Sequence, residues 1–390
     1  MITSAEALSI IREVPYRLPA ETVSLAEAAG RVLTEDVYSP SDDPPFDKSA
    51  MDGYALGGGT GEQGAVYQVA GTAAAGDVYS GLLGPGQAVR IMTGAKLPSG
   101  TEAVIRREYT EEKDGIMKVL TRETQSNIIK QGENFRKGHL LLSKRLLTAR
   151  HAGILASVGI SRIRAAARPR VGIITTGAEI REAGKETGDG LIFNSNGPML
   201  AAMIPGDGGL PINYGIVDDD AASLNPALRK ALGECNVILF TGGVSMGDFD
   251  LVPETVENAG TEVLFYKVAI RPGMPVLFGR KDNVFIFGLP GNPVSVFVTY
   301  EIFVRELLAV ISGTELTPVT VSGRLSETVS RKNAEREEYR PGRCDKGIIT
   351  PLSFRGSSHL HALADANCLY RFDQGTSILE KDSEIHVRLL

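Results

Sequence analysis

Between residues 168 and 312 the chain alternates short apolar runs with stretches of helical period. RVGIITTG, INYGIV, NVILFTGG, EVLFYKVAI and NVFIFGLP read as strands. SNGPMLAAMI, AASLNPALRKAL and LVPETVEN read as helices, and NPVSVFVTYEIFVRELLAVISG as a long amphipathic one. Strands that alternate with helices predict a parallel α/β sheet built from crossovers. The flanks differ in pattern. Over 1–30 the capping-box spacings Thr3–Glu6 and Ser24–Glu27 predict two short helices, the second stopped by Gly30. Over 40–140, turn clusters such as SPSDDPPFD, GGGTGEQG and LGPGQ punctuate β-rich runs about every eight to twelve residues, which predicts a small all-β domain. Residues 144–166 read as a helix leading into a strand. From about 316 the short segments VTVSGRL, GIITPLSF, SILEKD and EIHVRLL predict a small terminal barrel or sandwich. No heptad, solenoid repeat or low-complexity tract interrupts this order.

Several cores suit a chain of 390 residues, a length that implies two to four domains. The composition, 43% hydrophobic and 23% charged, is that of a soluble globular protein, and no apolar run reaches the roughly eighteen residues of a membrane span. MITSAEALSIIREVPYRL lacks the basic and apolar regions of a secretory signal. Three widely spaced cysteines (Cys235, Cys344, Cys368) form no CxxC pair, so neither a disulfide framework nor a zinc site is expected, and a cytoplasmic location fits. A net charge of −6 argues against general nucleic-acid binding, which rests on clustered cations. The 44 glycines matter only where they sit in patterned turns.

Ligands of open parallel sheets bind beyond the carboxyl ends of the strands. Three such ends carry unusual chemistry: Ile174–Glu179 (ITTGAE), Leu239–Asp250 (LFTGGVSMGDFD) and Gly288–Pro293 (GLPGNP). Glycine lets backbone N–H groups approach an anion, and a helix start such as Asn292–Pro293 adds its own donors. One strand–Gly–Gly turn is ordinarily a tight connection; three in one sheet, with acids nearby, point to a site for a phosphorylated ligand. Glu179, Asp219, Asp248 and Asp250 would meet on one rim, where Mg2+ is the natural bridge between carboxylates and phosphates. Helix capping is the plain alternative for Asp219 and Asp248. Lys267 and Arg271 are either a surface pair or a match for an oxyanion. Pro44–Tyr54 forms no regular element and reads equally as an interdomain loop, and His359 and His361 read as surface histidines.

Taken in order, PPFDKSAMDGYA, RIMTGAKLP, QGEN, TTGAEI, TGGVSMGDFD, RPGMPVLFG, GLPGNPVS and GSSHLHALADANC resemble the motifs of the MoeA-like molybdopterin molybdenumtransferases, the gephyrin E-domain family, from residue 4 to 390. The resemblance implies a multidomain α/β plus β fold in an elongated, L-shaped homodimeric subunit. A helix over 1–14 would pack on the central domain. Residues 15–40 and 140–167 would form a linker and dimerisation domain, 41–139 a β-rich second domain, 168–315 a central parallel α/β domain of MogA/MoaB type, and 316–390 a β-barrel. It implies a transferase that inserts molybdate into adenylyl-molybdopterin and releases AMP, with Mg2+ as cofactor. A molybdopterin adenylyltransferase is an expected partner, and no nucleic acid or membrane is.

Carried over by position, Asp52, Thr93, Glu179, Asp219, Asp250 and Lys267 are the catalytic candidates, with Asp219 and Asp250 holding Mg2+. Thr176, Gly177, Gly242, Gly243, Ser245, Pro290, Gly291 and Pro293 would line the pterin-nucleotide site. Arg271, Ser295, Arg336 and Ser357 would hold molybdate. Asp52, Thr93 and the QGEN turn would reach into the other subunit's cleft. The chain departs from the family pattern at Asn134 (usually an acid), Ile129 (usually basic), Met274 (usually lysine), Arg271 (usually lysine) and Ala178. Those losses keep open a scaffold or regulator with reduced activity. The shared central domain keeps open a nucleotide-pyrophosphate hydrolase.

Overall fold

Val171–Ile174 and Val237–Phe240 are apolar throughout except for Gly172, the signature of strands covered on both faces, and all are buried. In the computed structural model, which describes residues 1–186, 188–244 and 251–390, they lie at the middle of a six-stranded sheet. Its order is Leu210–Val217, Arg170–Thr176, Val237–Thr241, Val284–Leu289, Leu277–Lys281, Glu262–Tyr266. The first four strands are mutually parallel, as the alternation predicts. Leu277–Lys281 runs antiparallel to both its neighbours, Val284–Leu289 and Glu262–Tyr266, which the alternation did not predict. A hairpin turn at Asp282, with φ +53°, joins Leu277–Lys281 to Val284–Leu289, and so short a link leaves no room for a crossover helix.

The helix begun at Pro293 runs through a π turn at Tyr300–Val304 to Ser312. It is buried along nearly its whole length, with the sheet on one side and the helix Ser4–Arg12 against the other. Its polar residues are satisfied inside: Glu301 by Arg305 at 2.6 Å, Glu306 by Arg12 at 2.7 Å, and Tyr300 by Asp207 at 2.9 Å.

The capping box at Thr3 starts the helix Ser4–Arg12 as predicted. The box at Ser24 closes as well, but over only a 3-10 turn, Leu25–Glu27. The turn goes no further because the chain after it is drawn into pairing elsewhere: Gly30 N donates to the Leu147 carbonyl at 2.9 Å and Val32 bridges Leu146. The turn-rich segment forms a six-stranded sheet, in the order Thr101–Arg106, Gly53–Gly57, Gln87–Ile91, Val66–Ala73, Ile116–Val119, Thr110–Lys113.

At the C-terminus Glu337–Asp345, Ile348–Pro351, Thr320–Leu325, Glu384–Leu389 and Cys368–Phe372 close into a small barrel through the pairing of the first with the last. SILEKD contributes only the two-residue strand Ile378–Leu379. EVLFYKVAI is not one strand: it breaks at Lys267, whose φ is +68°. Its second part, Ile270–Arg271, pairs in parallel with Glu337–Glu338 and so joins the central domain to the barrel. Among the described residues no helix is long and apolar enough to cross a membrane.

Candidate active site

Four parallel strands end on one edge, so their following turns are neighbours. Gly242, with φ +94°, lies so close to the first turn that a Cβ there would stand 2.3 Å from the Thr176 carbonyl oxygen. Gly291 faces Gly242 from the other side, at 3.8 Å by the same measure. The Thr176 hydroxyl donates to Asp219 Oδ1 at 2.9 Å, and a Cβ on Gly243 would come within 3.3 Å of the same oxygen. Thr176, Gly177, Asp219, Gly242, Gly243 and Gly291 are thus drawn together. Asp219 is not the helix cap: the neighbouring Asp220 accepts from Ser223 N at 2.8 Å, which leaves the Asp219 carboxylate facing the turn. Glu179 is exposed on the rim, with Oε2 2.9 Å from a Cβ built on Gly177. Ser245, Asp248 and Asp250 lie outside the described residues.

Beyond these turns, the Tyr266 hydroxyl donates to the Val244 carbonyl at 3.1 Å, and the ammonium of half-buried Lys267 lies 5.1 Å from the Tyr266 ring. At the helix start Asn292 occupies the N-cap through its backbone alone. Val294 N donates instead to the carbonyl of Ser357, 3.0 Å away in the barrel's 356–363 loop. Pro290 and Ser295 are buried beneath this junction. A Cβ on Gly273 (φ +107°) would stand 2.5 Å from Thr299 Cγ2, so the Arg271–Gly273 turn lies against the same helix. Arg271 keeps half its side chain exposed, and Arg336 Nη1 donates to the Ile270 carbonyl at 3.4 Å. Backbone contacts thus bring the Arg271–Gly273 turn and Ser357 against the Pro293 helix, which carries Ser295, and Arg336 against the strand end at Ile270.

Asp52 and Thr93 form a third element. Thr93 donates its amide (2.7 Å) and hydroxyl (2.8 Å) to Asp52 Oδ1, bonds that hold the carboxyl below its usual range and stay within the β-rich sheet. The departures from the family pattern have local partners. Asn134 Nδ2 donates to Asp43 Oδ2 at 2.9 Å, a contact in which an acid would meet an acid. Ile129 pairs with Lys48 through its backbone, while Lys130 beside it binds Asp47 at 2.9 Å. Met274 offers its carbonyl to Val268 N and Val276 N, and Ala178 offers its carbonyl to Arg181. His359 Nδ1 accepts from Arg355 N at 3.3 Å, and no metal-holding group of His, Cys, Asp or Glu occurs among the described residues.

Asn196 was not legible as a site residue. It is buried, and its Nδ2 donates to both Thr241 Oγ1 (2.9 Å) and the Gly291 carbonyl (2.8 Å), tying two of the turns together. In FNSNGPML it reads only as part of a helix start, and no local pattern tells a cap from a cross-strand tie.

The chain matches three family models in succession: the MoeA N-terminal region (domains I and II) over residues 2–159, the probable molybdopterin binding domain over 172–310, and the MoeA C-terminal region (domain IV) over 323–390. It is 34% identical to the molybdopterin molybdenumtransferase of Haemophilus influenzae, covering 96% of this chain and 95% of that one. To the molybdopterin molybdenumtransferase of Staphylococcus aureus strain Mu50 it is 32% identical over 95% and 91%. The crystal structure of the molybdopterin biosynthesis MoeA protein of Pyrococcus horikoshii OT3 superposes with a TM-score of 0.85 at 29% identity, over 100% of both chains. Kinship along the whole length, joined to the cluster of turns at one sheet edge, places the chain in the MoeA family, the molybdopterin molybdenumtransferases, and with them in molybdenum cofactor biosynthesis.

Proposed function

We propose that the chain inserts molybdate into adenylyl-molybdopterin, the product of an adenylyltransferase, and releases AMP. The observation that carries this is the meeting of Thr176, Gly242 and Gly291 around Asp219, with the Pro293 helix that follows Gly291 held against Ser357 and the Arg271–Gly273 turn. Two anions of different shape suit two such neighbouring sites. Backbone N–H groups of the glycine turns receive the pyrophosphate. Arg271, Arg336, Ser295 and Ser357 receive molybdate, whose oxygens need donors and positive charge. Lys267 offsets charge between the two, and Glu179 orients the substrate from the rim. Asp52 and Thr93 complete the cleft from the second subunit of a homodimer.

Asp219, a half-buried carboxylate beside the phosphate turn, would hold Mg2+, a hard cation that takes oxygen ligands, together with Asp250, which lies outside the described residues. When bound, Mg2+ supplies charge neutralisation to the pyrophosphate. The residues' own contribution is positioning: they hold two anions in contact and let AMP leave, with no covalent protein nucleophile.

The test is AMP release from adenylyl-molybdopterin with Mg2+, with and without molybdate. AMP that appears only with molybdate supports insertion. Molybdate-independent AMP indicates a pyrophosphate hydrolase, and no AMP from a folded protein indicates a scaffold; either overturns the proposal.

A further inference from the structure

Three arginines surround one carboxylate. Glu338 is 2% exposed at its side chain and receives Arg340 Nε at 2.9 Å; Arg331 Nη1 lies 3.7 Å from its Oε2 and Arg271 Nε 3.8 Å from its Oε1. A buried carboxylate needs compensation, and Arg340 and Arg331 already supply it from within the barrel, both also lying over the Phe372 ring. Arg331 in turn donates from Nη1 to the backbone carbonyl of Arg336 at 2.6 Å. Glu338 is therefore tied to the Arg271 side chain directly, across the two-residue strand pairing, and through Arg331 to the backbone from which Arg336 projects.

We propose that Glu338 is a positioning residue for oxyanion binding: one buried carboxylate that orients the Arg271 guanidinium directly and, through Arg331, fixes the backbone from which Arg336 projects. It touches no substrate itself. This rests on the assignment of molybdate to Arg271 and Arg336 and adds the residue that organises them.

Charge and geometry predict opposite signs here. Removing a negative group near an anion site strengthens anion binding by Coulomb's law alone. If Glu338 instead holds the arginines in place, its removal weakens binding, because forked guanidinium donors act only when aligned.

The experiment is equilibrium dialysis of the full-length protein against molybdate, with bound molybdenum measured at fixed ionic strength, for wild type, Glu338→Gln and Glu338→Asp, each checked by circular dichroism and thermal melting. We expect Glu338→Gln to raise the molybdate Kd by about tenfold or more, with AMP binding at the glycine turns unchanged. Glu338→Asp, which keeps the charge but withdraws it by one methylene, is expected to show a smaller loss of the same sign, and it decides the matter should Glu338→Gln not fold. Tighter or unchanged molybdate binding in a folded variant overturns the positioning role. Failure of the wild type itself to bind molybdate would instead overturn the assignment of the subsite.

Discussion

Gly242 is where the glycine turns are most sensitive to a single methyl group. Gly242→Ala meets two obstacles. Its φ of +94° lies in a region that costs an L-residue about 1–2 kcal/mol. The new Cβ also falls 2.3 Å from the Thr176 carbonyl oxygen, a backbone atom that cannot rotate aside. Relief of such a clash by backbone shift costs about 1–3 kcal/mol. The two together give roughly 2–5 kcal/mol. A matched control is Gly138→Ala, where φ is +84° but no atom lies within 4 Å of the added Cβ, so only the first cost applies. Thermal melting and calorimetric AMP binding should separate them. Gly138→Ala should lose about 1–2 kcal/mol of stability and bind AMP as wild type does. Gly242→Ala should lose more and bind AMP about tenfold or more weakly, since each 1.4 kcal/mol is a factor of ten. Equal destabilisation of the two variants, or wild-type AMP binding by Gly242→Ala, would refute the argument that close approach of the turns builds the site.

Asn196→Asp keeps the shape of the tie but replaces its donors with a charge facing the Gly291 carbonyl, which can only accept; the Thr241 hydroxyl can turn to donate. It should cost about 1–3 kcal/mol in urea unfolding and weaken AMP binding while sparing molybdate binding; loss of stability alone would reduce Asn196 to a structural role. His151 accepts from Thr148 N through Nδ1 at 3.0 Å, closing the cap of the helix Ala149–Ser157. Burial, then Arg145 and Arg150, hold its pKa below the ordinary 6.5, so the neutral ring adds stability above about pH 6.5 and loses it as pH falls through the lower folded value. His151→Ala should therefore cost about 1 kcal/mol at pH 8 and progressively less toward pH 5; a difference independent of pH would show that the ring nitrogen is not the cap.

The parallel half of the sheet was legible because strands buried on both faces must be apolar throughout, and its turns were legible because only glycine permits the approach seen at Gly242. The antiparallel pair was not: PVLFGRK and NVFIF are as apolar as parallel strands, and only the short link at Asp282 reverses the direction. EEYRPGRC escaped notice because a barrel strand whose acids and arginines pair with one another carries no clean alternation, and its Glu338 and Arg340 show their meaning only once paired. Asn134 reads in sequence as the loss of an acid; in the fold it is the partner of Asp43.

The sequence by itself determined the four parallel strands of the central sheet and the helices between them, the glycines of their turns, the helix start at Pro293 and the family to which the ordered motifs belong. Those features rest on local physics, on periodicity, capping and the φ available to glycine, which a few neighbouring residues settle among themselves. The tertiary structure decided that Asp219 rather than Asp220 faces the turn, that Asn196 binds two strand ends, and that Arg271, Arg331 and Arg340 share one buried carboxylate. Each of these depends on groups brought together from distant parts of the chain, where a few tenths of an ångström in packing decide which hydrogen bond forms, and no local pattern carries that information.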